Sequence, residues 1–240
     1  IFLNWYQIYL SILLFDDRYE EAVPILEAMV YRFPEKKNYY RQLAALYAEL
    51  KREEDSFHIQ QIMFSKDMLE KHDELLRIAQ LYLFYEVPYK AALILEKELE
   101  SGRIKDEEKN WEQLANAWLS AREWKKAIPP LKKAAEMSED GELFLRLGQT
   151  FMQEENWKEA EEYIKYAIKK GDLDNPGRAW LLLGITRNKK GIKYQIDTGV
   201  SKNAQHSIDL EDYTTGFKNE DIVAKILEIY FETIPKELHL

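Results

Sequence analysis

The residue types that carry out chemistry are present in this chain, but not at spacings that chemistry uses. Its four histidines, His58, His72, His206 and His239, are scattered, and none forms an HExxH pair or another arrangement with metal-ligand spacing. No catalytic zinc is expected. Cysteine is absent, which removes disulfides, thiolate ligands and thiol nucleophiles together and leaves the compartment open. Carboxylates are plentiful, with 43 Asp plus Glu, but the runs at 51–55 and 138–142 read as solvated loops and helix faces. An acid–base pair would need a pocket to move its pKa values apart. The segment DLEDYTTG has the acidity of a calcium loop, yet Gly216 comes two places too late relative to Asp209. With neither a Walker A motif nor a GxGxxG, nucleotide binding has no support. No metal and no cofactor is expected, and an enzyme is the weakest of the function classes.

The elements that would position any functional side chains come next. A chain of 240 residues with 46% hydrophobic content buries a core. Its 34 Lys plus Arg leave a formal charge of −9, which disfavours nonspecific nucleic-acid binding. The most apolar stretch, 1–15, contains Asn4, Gln7 and Ser11 and is shorter than the ~20 residues a bilayer span needs, so direct membrane insertion is not expected. It also lacks the basic start and cleavage site of a signal peptide. Without an initiator Met, the chain is expected to begin inside a longer precursor that leaves room for a targeting sequence upstream.

A repeat runs through most of the sequence. Starts at Leu3, Lys37, His72, Glu108, Gly141 and Gly177 are spaced by 34, 35, 36, 33 and 36 residues, one helical hairpin per unit. In the clearest unit Trp111, Leu114, Ala115 and Trp118 precede Trp124, Ala127, Leu131 and Ala134; in the next, Phe144, Leu147, Gly148 and Phe151 precede Trp157, Ala160, Ile164 and Ala167. Each set has the spacing of an amphipathic helix. Ala115 and Gly148 are expected where two helices cross closely, with the aromatics as core. Pro24 and Pro129 are expected near the starts of second helices, where a missing N–H costs least, and Pro34 and Pro176 between units.

This pattern resembles the tetratricopeptide repeat (TPR) family, whose signature is Trp-x2-Leu-Gly-x2-Tyr, then Ala-x3-Phe-x2-Ala, then Pro. The match extends from Leu3 to about Ile192. It includes Tyr19, Ala22, Leu26 and Pro34 in the first unit, Tyr40, Leu43, Ala44 and Tyr47 in the second, and Leu75, Ile78, Ala79, Tyr82, Ala91 and Leu95 in the third. Glu98 stands where a small residue is expected, and the second unit departs at Ser56, Gln60 and Met63. The resemblance implies an all-α, right-handed superhelical solenoid of about six hairpins over 1–192, the sixth incomplete. It also implies a concave groove lined by the first helix of each unit. Counting from each start places Arg41, Arg77, Gln80, Phe84, Gln113, Asn116, Arg146, Gln149 and Arg178 in that groove, with Glu112 among them. Guanidinium groups flanked by amides suit an extended peptide that carries carboxylates. The implied function is a non-enzymatic scaffold with a protein or peptide partner. The carboxylate clamp of chaperone-binding TPR proteins is not met; the best window offers Glu112, Asn116, Arg146, Arg178 and Leu182.

A narrower similarity covers roughly Phe15 to Gly191, carried by VPYKAALILEKELESGRI and the unit after it. These segments look like the TPR proteins that accompany TonB, ExbB and ExbD in Gram-negative bacteria, implying a periplasmic accessory of TonB-dependent uptake; without that similarity the cytoplasm is expected. The sixth unit starts with Trp180, Leu183 and Gly184 and then loses its period. Residues 193–217 read as an irregular linker, and 218–240 as an amphipathic helix with Ile222, Val223, Ile226, Leu227 and Tyr230 on one face. That face either covers the open end of the solenoid or docks on a partner or a second copy, which would make the chain a self-associating regulatory subunit. The oligomeric state stays open.

Overall fold

The computed structural model describes residues 2–198, with side chains described for 4–189, and within them there are eleven α-helices and no strand. The expected C-terminal helix at 218–240 lies outside the described residues. Helices α1 (Phe2–Phe15), α3 (Lys37–Glu49), α5 (His72–Phe84), α7 (Glu108–Ser120), α9 (Glu142–Gln153) and α11 (Pro176–Thr198) are the first helices of successive hairpins. Each begins within one residue of its expected start. The second helices are α2 (Tyr19–Arg32), α4 (Glu53–Ser65), α6 (Pro88–Glu100), α8 (Trp124–Met137) and α10 (Trp157–Lys170). Helix α11 runs on past the expected boundary at 192, so residues 193–198 are helical.

One turn recurs inside every complete hairpin. Asp17, Lys51, Glu86, Arg122 and Glu155 all have φ between 53° and 59° and follow one another at 34, 35, 36 and 33 residues, the same intervals as the helix starts. The amide one residue on closes each turn by donating five residues back: Arg18 to Leu13, Arg52 to Tyr47, Val87 to Tyr82, Glu123 to Trp118 and Asn156 to Phe151, at 2.8–2.9 Å. This is a left-handed helix ending without the glycine that usually occupies it.

The chain divides into two units, 1–105 and 106–240. In the first, Leu10 and Leu13 of α1, Ala22, Leu26 and Met29 of α2, and Leu43, Leu46 and Tyr47 of α3 form one buried cluster. Ser56, a departure from the repeat pattern, is buried and donates to the Ala44 carbonyl at 2.8 Å, so the small polar residue is satisfied at its helix crossing. Glu98 is fully buried, and Arg103 reaches it twice, Nε to Oε2 at 2.5 Å and Nη2 to Oε1 at 2.8 Å. Arg103 also donates to Asp67 Oδ1 at 2.8 Å, tying the end of α6 to the turn before α5.

In the second unit Leu131, Ala134, Leu145, Leu147, Ile164, Ala167 and Leu183 share a core with Ala115. Ala127 and Ala134 are fully buried, as the crossing argument requires. Gly148 sits where α9 meets α10: a Cβ there would lie 2.6 Å from Ile164 Cγ1. Gly141 is equally confined, its absent Cβ falling 2.5 Å from the Ala167 carbonyl, while its amide donates to the Gly171 carbonyl at 2.9 Å.

Pro24 and Pro129 are placed differently from expectation, whereas Pro34 lies between units as expected. Pro24 is the sixth residue of α2, and Pro129 and Pro130 are the sixth and seventh of α8, all beyond the first turn. Second helices begin three residues before the signature Ala, which carries these prolines into the interior. Pro24 and Pro129 are on the exposed side of their helices, where water can take the carbonyl that loses its partner.

Candidate functional site

The expected groove residues fall in both units, and each set is built from first helices. In the first unit, α3 and α5 present their polar faces together. Arg41 Nη2 is hydrogen-bonded to Glu74 Oε1, and Lys37 Nζ lies 3.7 Å from Glu74 Oε2. Glu74 also accepts from the backbone amides of Lys71 and Glu70, each at 3.2 Å, as a carboxylate at a helix N-terminus does. Burial pushes the Glu74 carboxyl up, but the Arg41 guanidinium and the two amides outweigh it and hold the group down at about 2. Glu74 is thus an anion throughout the physiological range.

Farther along α5, Arg77, Gln80 and Phe84 follow at i, i+3 and i+7 and are all exposed, so they share one open face. Arg77 forms no ion pair among the described residues. Phe84 is 71% exposed and packs edge-on against Tyr85 at 5.2 Å, and Tyr85 stacks on Phe57 at 4.5 Å. An exposed aromatic backed by a ring stack is a rigid apolar contact beside a free guanidinium and an amide.

The second unit uses its arginine differently. Arg146 Nη1 donates to Glu112 Oε1 at 2.6 Å and Nη2 to Asn116 Oδ1, so the fork is already filled by α7. Gln113 and Gln149 are half-buried, and Arg178 is exposed on the first turn of α11. Arg41 and Arg146, both expected to line the groove, each already have a partner. Both are held by a carboxylate on the neighbouring first helix, 33 or 34 residues away. Glu74 was missed as the counterpart of Arg41, although an opposite charge one repeat length away was the available signal.

The described residues hold no cluster of three or more metal-ligating side chains, and no described helix is long and apolar enough to cross a membrane. A cleft of about 310 Å³ in the first unit is lined by Tyr6, Ala28, Met29, Tyr31, Arg32 and Phe33, away from the expected residues and with few polar groups. It offers a ligand apolar contact and little to orient it.

No family model matches the sequence, and no curated protein matches it either. Solved structures do resemble it in fold. The crystal structure of MamA protein is 18% identical over 68% of this chain and 86% of its own, with a TM-score of 0.49. YrrB, described as a TPR protein with an unusual peptide-binding site, is 14% identical over 76% and 90%, with a TM-score of 0.47. PilW, a type IV pilus biogenesis factor, is 14% identical over 83% and 94%, with a TM-score of 0.44. The repeat assignment rests on the hairpin register and its recurring turn, which stand without these likenesses.

Proposed function

We propose that the chain is a non-enzymatic scaffold that binds a peptide or partner segment along its first-helix faces. The observation that carries this reading is the open stripe on α5, where Arg77 has no described ion pair and lies beside Gln80 and the exposed Phe84. That combination gives a carboxylate one charge-assisted donor, a peptide backbone one amide and an apolar side chain one anchor. Gln113, Gln149 and Arg178 offer two half-buried amides and an exposed guanidinium in the second unit, without the apolar anchor. Arg41, Arg146 and Asn116 hold neighbouring first helices in register and so shape the face instead of reading the ligand. In this reading the occupant is an extended or helical segment bearing carboxylates. Its source is the TonB, ExbB and ExbD system, with the chain a periplasmic accessory of TonB-dependent uptake; the support for this source is the sequence similarity of Phe15 to Gly191.

The test is an array of acidic peptides, including segments of the TonB-system proteins, each beside a version with its carboxylates amidated. Binding is expected to the acidic forms only, to weaken as salt rises, and to be lost in Arg77→Glu with Phe84→Ala while helicity is unchanged. Equal binding to the amidated peptides, or an unaffected double variant, overturns the reading. Recovery of unrelated acidic segments with none from the TonB system removes that source alone. The alternative is a regulatory subunit that self-associates through residues 218–240, supported by their amphipathic pattern; sedimentation with and without that segment distinguishes it.

A further inference from the structure

Helix α1 differs from the other first helices in what it leaves open. Trp5, Ile8, Tyr9, Ile12 and Phe15 are 45–87% exposed and follow one side of the helix, which carries no charged side chain. One repeat on, Tyr39, Leu43 and Leu46 of α3 take the positions of Trp5, Tyr9 and Ile12 and are buried in the cluster shared with α2. This side of a first helix is therefore a helix-packing surface. The positions of Ile8 and Phe15 are different: α3 has Gln42 and Glu49 there, α5 Arg77 and Phe84, and α9 Arg146 and Gln153, and none of them is buried. The packing of one hairpin on the next does not cover these two positions. In α1 both are apolar, so its stripe is wider than the seam between hairpins.

The stripe supplies both halves of a helix–helix contact. Ile8, Ser11, Ile12 and Phe15 surround a depression of about 370 Å³, and four residues at i, i+3, i+4 and i+7 are what form the hole for a knob when helices interlock. Ser11 Oγ donates back to the Gln7 carbonyl at 2.7 Å, so this small residue opens the hole with its hydroxyl already paired. Trp5, 67% exposed, is a knob on the same stripe, about 10 Å from the centre of the hole at 1.5 Å rise per residue. A knob and a hole on one straight helix never meet each other. A two-fold axis beside Ile8 seats each Trp5 in the hole of the other copy.

We infer that α1 is the interface of an isologous dimer, in which the α1 helices of two copies of this chain pack antiparallel with Ile8 at the axis and Trp5 seated among Ile8, Ser11, Ile12 and Phe15 of the other copy. Charge and area both fit a second copy. Each chain has a net charge of −9, and an uncharged helix is where two of them meet without placing like charges in contact. An aromatic side chain presents about 150–250 Å², so the five residues leave roughly 600 Å² open on each copy and roughly 1,200 Å² on the pair, the lower edge of what specific interfaces bury. One such patch is at the upper end of what a monomer exposes. The surface is separate from the Arg77 stripe on α5 and from residues 218–240.

The absence of native cysteine makes the test direct. In the full chain, Ile8→Cys at the axis should give a disulfide-linked dimer under mild oxidation, seen on non-reducing gels. Phe15→Cys, on the same stripe but about 10 Å from the axis and so about 20 Å from its own copy, should crosslink at least tenfold more slowly. Sedimentation equilibrium needs no new thiol: at micromolar concentration the unaltered chain should be a dimer that holds or tightens as salt screens the two acidic bodies, whereas acidic peptides on the Arg77 stripe bind more weakly as salt rises. Trp5→Ala with Ile12→Glu, both at exposed positions, should weaken the dimer at least tenfold with helicity unchanged. A monomer at these concentrations, equal crosslinking of the two cysteine variants, or a dimer that the double variant leaves intact overturns the proposal.

Discussion

Replacing Gly148 with alanine tests the packing argument, because two opposing effects act at one atom. The added Cβ would lie 2.6 Å from Ile164 Cγ1 and 3.3 Å from both the Ala160 carbonyl oxygen and the Ile164 amide nitrogen. Carbon atoms in contact sit about 3.5–4.0 Å apart, so α9 and α10 must separate by roughly 1 Å. Overpacking of that kind costs ~1–3 kcal/mol, while alanine in place of a mid-helix glycine returns about 1 kcal/mol. The expected net loss is therefore ~0–2 kcal/mol. In an Ile164→Ala background the 2.6 Å clash is removed and the two 3.3 Å backbone contacts remain, so the same substitution should be neutral or stabilise by up to about 1 kcal/mol, although Ile164→Ala itself costs ~2–5 kcal/mol. The coupling between the two sites is then ~1–3 kcal/mol. Five of the six tryptophans lie in 106–240, so urea unfolding followed by tryptophan fluorescence reports the unit concerned. An equal effect of Gly148→Ala in both backgrounds would refute the claim that the glycine is there for a close crossing.

Three further outcomes are expected. Glu74 is held at about 2, so its ion pair stabilises the first unit fully above the ordinary carboxylate range; the contribution is lost as pH falls from about 4.5 to 2, and Glu74→Gln should flatten that stretch of the pH–melting curve. Arg103→Ala strands the buried Glu98 carboxylate and should cost ~3–5 kcal/mol, whereas Glu98→Met, which installs the side chain that Met29 and Met63 provide at this slot, should cost far less; urea midpoints rank the two. Gly171, at φ 85° and ψ −161°, holds a conformation open only to glycine, so Gly171→Ala should cost ~1–3 kcal/mol, read as a lower melting temperature.

The hairpins were legible because each element repeats a pattern that only one packing satisfies. Ala115, Ala127, Ala134 and Gly148 announced the crossings, and the structure buries all four. What escaped was the pairing of charges. Arg146 looks on a helical wheel like an exposed ligand-reading residue, and only the stacking of α9 on α7 brings it to Glu112 and Asn116. The same holds for Arg41 and Glu74, which are distant in sequence and adjacent only through the repeat. Glu98 read as a departure because its partner Arg103 lies in the following loop, outside any helical period. Arg77, Gln80 and Phe84 were found as an open stripe because nothing from a neighbouring helix intervenes among the described residues.

The charged residues in the left-handed turns have a consequence for how the chain folds. Asp17, Lys51, Glu86, Arg122 and Glu155 hold a conformation that costs an L-residue roughly 1–2 kcal/mol. A turn of that kind does not nucleate a hairpin. On that cost it is expected to close after the helices on either side have met through their apolar faces, with the seam formed and the turn still open in the transition state of each hairpin. Substitutions at the turns should then alter unfolding rates and leave folding rates nearly untouched, while truncations at Leu26, Leu131 or Ile164 slow folding itself. The contacts are local in sequence, which makes formation fast.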